Sequence, residues 1–301
     1  MRQLVGFIIT LLFSISAAAQ GCSDAGFCTI PSFSPQDAAN GKFKVELRAS
    51  LEGSEPGALI ISPQLWLNYA VSESVKFNVK VPFWFVNDAE LGKVTALSDP
   101  IISASFRISN SEKAAFFLTG GFRFGVGNAT NKGLDNTDLP MDYQPTLGTT
   151  DIIIGANVKF NSYSASVGLQ YPAWQYNKNQ NVVQSSINNP LIDPIPLEYY
   201  RKADIMARLD RTWQIGNWQF KLGLLPIYHL ANDELLSSEN TGYITIEGSQ
   251  GLTLNIPFGS WYKHNNWTFG LDGGFPVVTR DARPDGLTRR FVLQPRIALT
   301  L

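Results

Sequence analysis

Apolar and polar residues alternate strictly in about twelve short segments of this chain. One segment places Val75, Phe77 and Val79 on one face of a strand and Lys76 and Asn78 on the other. A period of two residues predicts strands with one apolar face and one polar face. Repeated along the chain with hairpin connections, the pattern predicts an all-β fold, a transmembrane antiparallel up-and-down β-barrel of a bacterial outer membrane.

The connections between the segments alternate between short and long. We expect strands at residues 42–49, 60–71, 75–85, 100–108, 114–124, 151–160, 164–171, 202–213, 218–228, 251–261, 267–275 and 288–301. Five connections are tight turns, and the six between the hairpins are longer and irregular. This predicts periplasmic termini, short periplasmic turns and long outer loops. A soluble β-sandwich is the structural alternative, but it does not predict this alternation or aromatic residues such as Trp174 and Trp218 near strand ends.

The N-terminus predicts secretion. Arg2, an apolar run over residues 4–15 and the small residues Ala17 to Ala19 form a signal peptide that covers residues 1–19. The apolar run is too short to span a membrane. We therefore expect cleavage after Ala19, which leaves residues 42–301 for the barrel.

Residues 20–41 are expected to form a periplasmic N-terminal segment, either leading in from the periplasm or plugging the lumen. In an oxidising periplasm Cys22 and Cys28 are expected to pair as a disulfide. A redox-active pair is less favoured, because the spacing is not C-x-x-C. Lipidation of Cys22 is also left open, although the preceding residues 19–21 lack the usual large aliphatic residue.

Composition narrows the possible functions. Charged residues make up 16% of the chain, the formal net charge is −1, and no basic block suggests binding of nucleic acid. Mean hydropathy is near zero, as expected when lipid-facing and lumen-facing residues average out. His229 and His264 lie far from the cysteines in sequence. We therefore expect no metal site and no cofactor.

The inward phase of the strands is rich in cations. The predicted lumen-lining residues are Lys44, Arg48, Lys76, Lys80, Arg107, Arg123, Lys159, Arg208, Lys221, Arg290 and Arg296. With Lys42 and Lys202 included, inward cations outnumber the inward acids Glu46, Asp204, Asp210 and Asp272 by about three to one, so an open pore would attract anions. Alternatively, these charges pair across the lumen and fill it. A twelve-stranded lumen is intermediate between filled eight-stranded barrels and wide porins.

Two strand starts, Leu97-Ser98-Asp99-Pro100 and Leu147-Gly148-Thr149-Thr150-Asp151, both place a Ser or Gly shortly before an Asp. With the tight hairpins and the signal peptide, they make the chain resemble the outer-membrane barrels associated with the meta-pathway of phenol degradation, over most of residues 42–301. The resemblance implies a monomeric outer-membrane barrel that passes small, often apolar or aromatic molecules.

An enzyme is the alternative from another class. Twelve-stranded outer-membrane phospholipases need a His and a Ser within hydrogen-bond reach. His229 is followed by Leu230 and Ala231, and His264 lies in a predicted turn, so we expect no catalytic residues. A structural or adhesion barrel using the long loops is the third hypothesis. The sequence predicts a passive channel or transporter for a small solute it does not identify, with outer-membrane lipid, lipopolysaccharide and the barrel-assembly machinery as partners.

Overall fold

The structure is a computed structural model that describes residues 43–53, 59–111, 114–127, 129–181, 197–237, 242–287 and 289–301. The predicted signal peptide, the segment 20–41 and the cysteines Cys22 and Cys28 lie outside the described residues. In the described ranges, no helix is long and apolar enough to cross a lipid bilayer.

Twelve antiparallel strands close into a barrel, which confirms the predicted fold class. They are β1 (Phe43–Gly53), β2 (Leu59–Ala70), β3 (Val75–Asp88), β5 (Ile101–Asn110), β6 (Ala114–Arg123), β7 (Thr149–Phe160), β8 (Tyr163–Gln175), β10 (Asp204–Ile215), β11 (Trp218–His229), β14 (Gly251–His264), β15 (Trp267–Val278) and β16 (Phe291–Thr300). Each strand pairs with its neighbours in the ring, and β16 closes it on β1 with Arg48 opposite Arg296. Closure pairs the backbone groups that an open edge would expose to lipid.

Four shorter strands lie in the long connections, which were expected to be irregular. They are β4 (Gly92–Leu97), β9 (Leu197–Tyr200), β12 (Glu234–Ser237) and β13 (Tyr243–Thr245). Strand β4 pairs with Phe83–Asp88 of β3 beyond the point where β5 pairs with Val75–Lys80, so β3 and β4 form a hairpin that extends the barrel wall. Strands β9, β12 and β13 form a separate small sheet. The prediction of irregular loops was wrong here, because these segments satisfy their backbone groups in local sheets.

The outer face of the barrel is apolar. Large hydrophobic side chains such as Leu47, Phe77 and Val167 alternate with buried neighbours and are exposed. Trp174, Trp213, Trp218 and Trp267 are exposed near strand ends, where aromatic side chains mark the two membrane interfaces. Trp66, Trp84 and Trp261 instead point inward and are buried. The exterior is therefore that of a membrane barrel, and three of its seven tryptophans belong to the interior.

Candidate functional site

A group of ion pairs lies at mid-barrel on the inner wall formed by the neighbouring strands β1, β16 and β15. Glu46 of β1 accepts hydrogen bonds from Arg48 at 2.5 Å and from Arg296 at 3.1 Å, and its other oxygen lies 3.1 Å from Lys44 Nζ. Asp272 of β15 lies 3.2 Å from Arg296 Nε and 4.0 Å from Arg48 Nη1. Two carboxylates thus hold cations from β1 and β16, so part of the predicted cation excess is neutralised within the wall.

Two buried tryptophans support these ion pairs. The Arg48 guanidinium lies 4.2 Å from the ring centroid of Trp66, and that of Arg296 lies 4.6 Å from the centroid of Trp261. Lys221 Nζ also approaches the ring of Trp261, at 5.1 Å. The aromatic faces attract these cations and restrict their positions. On β10, Arg208 Nε lies 2.7 Å from Asp210 Oδ2. The central belt, defined here as this pair together with Glu46, Arg48, Asp272 and Arg296, has bulky side chains in restricted positions on its β1, β15 and β16 side.

The wall across from this side carries small polar residues. Its inward positions on β5, β6, β7 and β8 include Ser103, Ser105, Thr119, Asn157, Ser164 and Ser166. Within the described residues, several polar atoms of the lumen find no partner in the protein, namely Ser103 Oγ, Asn157 Oδ1, Thr253 Oγ1 and both amide atoms of Asn255. Buried polar groups are normally paired with protein or with water.

The outer end of the lumen is covered by the connection between β6 and β7. Residues 129–148 of this connection are named here the cap loop. Most residues of its second half, 138–148, are buried, whereas residues 132 and 134–137 are exposed. Strands β6 and β7 are the fifth and sixth around the ring from β1, whereas β16 is the twelfth. Contacts between the cap loop and the region beside β16 and β1 must therefore cross the barrel mouth.

Arg289, just before β16, makes those crossing contacts. Its Nη1 donates to Asp142 Oδ1 of the cap loop at 2.9 Å, and its Nε donates to Glu52 Oε2 of β1 at 3.1 Å. The guanidinium also lies 5.6 Å from the ring centroid of Trp84. Trp84 Nε1 in turn donates to the Tyr143 carbonyl at 3.1 Å. Arg289 thus connects the cap loop to the opposite wall.

Two apolar clusters hold the cap loop on either side. On one side, Leu139 and Tyr143 pack with Ile60, Trp84 and Val86 of the wall. On the other, Met141 and Leu147 pack with residues of the loop strands, namely Tyr199, Leu235 and Ile246. The cap loop is therefore packed between the barrel wall and the loop strands at the long-loop end.

The aspartates of the two strand-start motifs anchor the base of this loop. Asp99 accepts the backbone N–H of Leu147 at 3.3 Å and that of Val126 at 3.2 Å. Arg123 lies between Asp99, at 3.6 Å, and Asp151, at 2.7 Å. Burial raises the pKa of Asp99 to about 6, against the opposing effect of Arg123. The two similar sequence motifs thus meet at one arginine.

A second buried network fixes the loops after β8 and β15. Arg201 pairs with Asp204 and lies 3.4 Å from Asp285, which also binds Arg280 at 2.9 Å. Burial acts to raise the pKa of Asp285, but Arg280 and Arg201 outweigh it and hold that pKa below its usual range. The network therefore favours the charged carboxylate.

His229 belongs to this second network. Its Nδ1 lies 2.6 Å from Asp204 Oδ1 and its Nε2 lies 2.8 Å from Asp233 Oδ1. With both ring nitrogens bound to carboxylates, it is not positioned to activate a serine. In the described part of the chain, no group of His, Cys, Asp and Glu side chains is arranged to hold a metal ion.

The structure places the predicted lumen-lining residues at three levels. Near the short turns lie Lys44, Lys76, Arg107, Lys159 and Lys221. At mid-barrel lie Arg48, Lys80, Arg208 and Arg296, with Arg48 and Lys80 over the same Trp66 ring, and at the long-loop end lies Arg123. Arg290 was also predicted to line the lumen, but it lies in an exposed bend one residue before β16. Two inward acids missed from the sequence, Glu52 and Asp151, lie near the long-loop end, so the walls are less basic than expected.

The loop residues Asp142, Arg201, Arg280, Asp285 and Arg289 were also missed. Arg280 and Asp285 pair within one loop, but other partners lie in distant loops or walls, up to 237 residues away for Arg289 and Glu52. Charge-rich loops are normally solvated, so composition alone gave no signal of burial. The only available signal was the density of arginine and aspartate over residues 280–290.

Comparisons with known proteins agree with the fold. No family model matches the chain, and no curated protein matches its sequence. An outer-membrane channel from Pseudomonas putida F1 superposes with a TM-score of 0.62, covering 88% of this chain and 97% of that chain at 11% identity. This similarity shows an outer-membrane barrel fold and, with the apolar exterior, places the chain in the outer membrane. The more specific resemblance to the phenol-degradation barrels stays a prediction.

Two other barrels align less closely. The translocator domain of the autotransporter NalP from Neisseria meningitidis has a TM-score of 0.46 at 8% identity, over 89% of this chain and 90% of that chain. The KdgM porin in complex with disordered oligogalacturonate has a TM-score of 0.45 at 8% identity, over 86% and 99% of the two chains.

Proposed function

We propose that this protein is a passive channel or transporter for small molecules, closed at its outer end in the described conformation. The observation that carries the proposal is the unpartnered polar lining of the lumen, at Ser103, Asn157, Thr253 and Asn255. A purely structural barrel gains nothing from buried polar atoms without partners, because each one costs about 1–3 kcal/mol. In a channel, the same atoms bind water or solute along the path.

The inward direction of the cap loop also favours transport over adhesion. Met141, Tyr143 and Leu147 are buried over the lumen rather than presented outward. A loop that closes the mouth controls passage, whereas an adhesive loop exposes its binding residues. No catalytic role is proposed for His229, because its ring is held by two carboxylates.

We further propose that the inward cations named from the sequence line the path and give it a preference for anionic or polar solutes. Fixed charge in a narrow channel of low dielectric constant sets the local ion concentration. A second class, small apolar or aromatic solutes, is supported by one specific feature. Ile101, Ile153, Met206, Leu225 and Ile227 form an apolar cluster inside the outer half of the lumen.

Swelling of proteoliposomes in arabinose tests passage directly. Ser105→Trp places an indole on the inward wall of β5, while Phe106→Trp places one on the outward face at the next residue. We expect wild type and Phe106→Trp to swell faster than empty liposomes, and Ser105→Trp to swell more slowly. Equal rates for protein and empty liposomes, with the barrel folded, would contradict the proposed function.

The N-terminal features remain part of the proposal. Residues 1–19 act as the signal peptide, and residues 20–41 form a periplasmic segment with a Cys22–Cys28 disulfide. Mass spectrometry of the mature protein, with and without reduction, tests both statements. Lipopolysaccharide and the barrel-assembly machinery are the partners that a barrel in this membrane requires.

A further inference from the structure

One cation lies on the lipid-facing surface of the barrel. Within the twelve described barrel strands, Arg211 of β10 is the one Lys, Arg, Asp or Glu residue that is exposed, and the others are half-buried or buried. Buried and exposed residues alternate along β10, and Arg211 shares the exposed face with Leu209 and Trp213. Arg211 therefore points outward, into a surface made mostly of apolar and aromatic side chains.

The strand register places Arg211 at the level of the short turns. Arg211 is directly opposite Tyr163, the first residue of β8, which follows the turn between β7 and β8. Phe160, the last residue of β7, stacks on Tyr163 with ring centroids 5.6 Å apart. Exposed aromatic residues at strand ends mark a membrane interface. Arg211 thus lies among the interfacial aromatic residues of the short-turn end, which faces the periplasm in the predicted orientation.

Two aromatic rings hold the Arg211 guanidinium on this surface. Its Cζ atom lies 5.4 Å from the ring centroid of Tyr163 and 5.0 Å from that of Trp213. The ring faces attract the cation and restrict its position, but they accept none of its N–H groups as conventional hydrogen bonds. In the part of the chain that the structure describes, no carboxylate pairs with Arg211 and no oxygen accepts a hydrogen bond from its guanidinium. These donors can therefore bind a group outside the protein.

We propose that Arg211, Tyr163 and Trp213 form a binding site for the phosphate of a phospholipid in the periplasmic leaflet. A charge on the outer face of a barrel is costly at the bilayer midplane and tolerated near the interface, where a long stem reaches the head groups. The planar guanidinium can donate two parallel hydrogen bonds to phosphate oxygens. Leu209 and Ile205, exposed on the same strand towards mid-barrel, provide apolar surface for an acyl chain. The inference concerns the outer face, goes beyond the proposed channel and does not depend on it.

Phosphatidylglycerol is a suitable probe, because its head group carries a phosphate and no ammonium group that would compete with the arginine. Native mass spectrometry of the folded protein in a neutral detergent, titrated with this lipid, should show saturable binding. Arg211→Gln should weaken the binding on the order of ten-fold or more, because hydrogen bonds to a charged phosphate are lost. The matched control Lys93→Gln removes an exposed cation of β4 at the long-loop end and should leave the binding unchanged.

Two further ligands identify the group that is recognised. Diacylglycerol has the same acyl chains without the phosphate, and it should bind wild type and Arg211→Gln equally and more weakly than phosphatidylglycerol binds wild type. Ammonium phosphate, compared with ammonium acetate at the same ionic strength, should not displace the phospholipid. Displacement would mean that the arginine takes the free ion, and it would overturn the lipid site.

The lipid site would also be overturned by an absence of saturable binding, by equal affinities of wild type and Arg211→Gln, or by equal weakening in Lys93→Gln. Diacylglycerol that binds wild type as tightly as phosphatidylglycerol would contradict it as well. Arg211→Gln should keep its heat-resistant mobility on gels and its arabinose swelling, because the exchanged side chain is exposed on the outer face. Its loss of lipid is then neither misfolding nor loss of the channel.

Discussion

Arg289 is the side chain whose loss should open the outer mouth. It is 3% exposed and donates to Asp142 of the cap loop and to Glu52 of the wall, whose side chains are 15% and 8% exposed. Removing one partner of a buried ion pair costs about 3–5 kcal/mol, because the remaining charge stays buried. We take about 3 kcal/mol here, since Asp142 is partly solvated. Arg289→Gln should then lower the ratio of closed to open channels roughly 100-fold.

The assay is single-channel recording in planar bilayers, with the open fraction as the readout. Arg289→Gln should be open for a much larger fraction of the time than wild type, at the same unit conductance. Arg283→Gln is the matched control, because its guanidinium bonds Thr279 and the Arg280 carbonyl within its own loop. An unchanged open fraction for a folded Arg289→Gln barrel would refute the proposal that Arg289 holds the cap loop in its closed position.

Three further predictions follow from the placement of the strands and loops. A tag inserted near Asn131 of the cap loop should be reachable from outside intact cells and one at Asn265 of the β14–β15 turn should not; the reverse labelling would contradict the orientation. Val167→Arg, at an exposed position in mid-strand on the outer face of β8, should lower the free energy of unfolding in urea titrations by about 2–4 kcal/mol, and the inward Lys159→Gln by far less. Equal costs would mean that the inward and outward faces of these strands are wrongly assigned. Burial raises the pKa of Asp99 to about 6, so its contribution to stability is complete below the unfolded pKa and is lost as the pH rises through about 6. The urea midpoint should therefore fall from about pH 4 to about pH 6.5 more in wild type than in Asp99→Asn, and identical slopes would contradict this.

The barrel was predictable because its signal is local. Alternation in segments such as β3 and β10 follows from one face meeting lipid and the other the lumen, and the sequence needs no distant information to show it. The hairpin of β3 and β4 was not predicted. Residues 98–100 separate β4 from β5. Because Pro100 cannot donate a backbone hydrogen bond to a strand ladder, this break looks in the sequence like the start of a strand.

The closed mouth was not predictable for the opposite reason. The contacts of Arg289 with Glu52 and Asp142 join positions separated by 237 and 147 residues, and no local pattern encodes such a pair. The alternation of residues along each strand assigned Arg48, Lys80 and Arg296 to the inward face. It could not show that Glu46 binds the two arginines, or that Trp66 and Trp261 contact these cations. The alternation rule applies only to strands and does not place the carboxylates of the loops. The balance of charge along the lumen could therefore be judged only from the structure.

The central claim is that a hydrated path runs through the barrel and is closed by the cap loop. Replacing residues 130–146 with a short Gly-Ser linker removes the segment that crosses the mouth and leaves the twelve barrel strands intact. Single-channel conductance of this variant, in its heat-resistant folded form, tests the claim most directly. The account predicts brief openings in wild type and a steady, larger conductance in the variant. A folded variant as silent as a lipid bilayer without protein would contradict it.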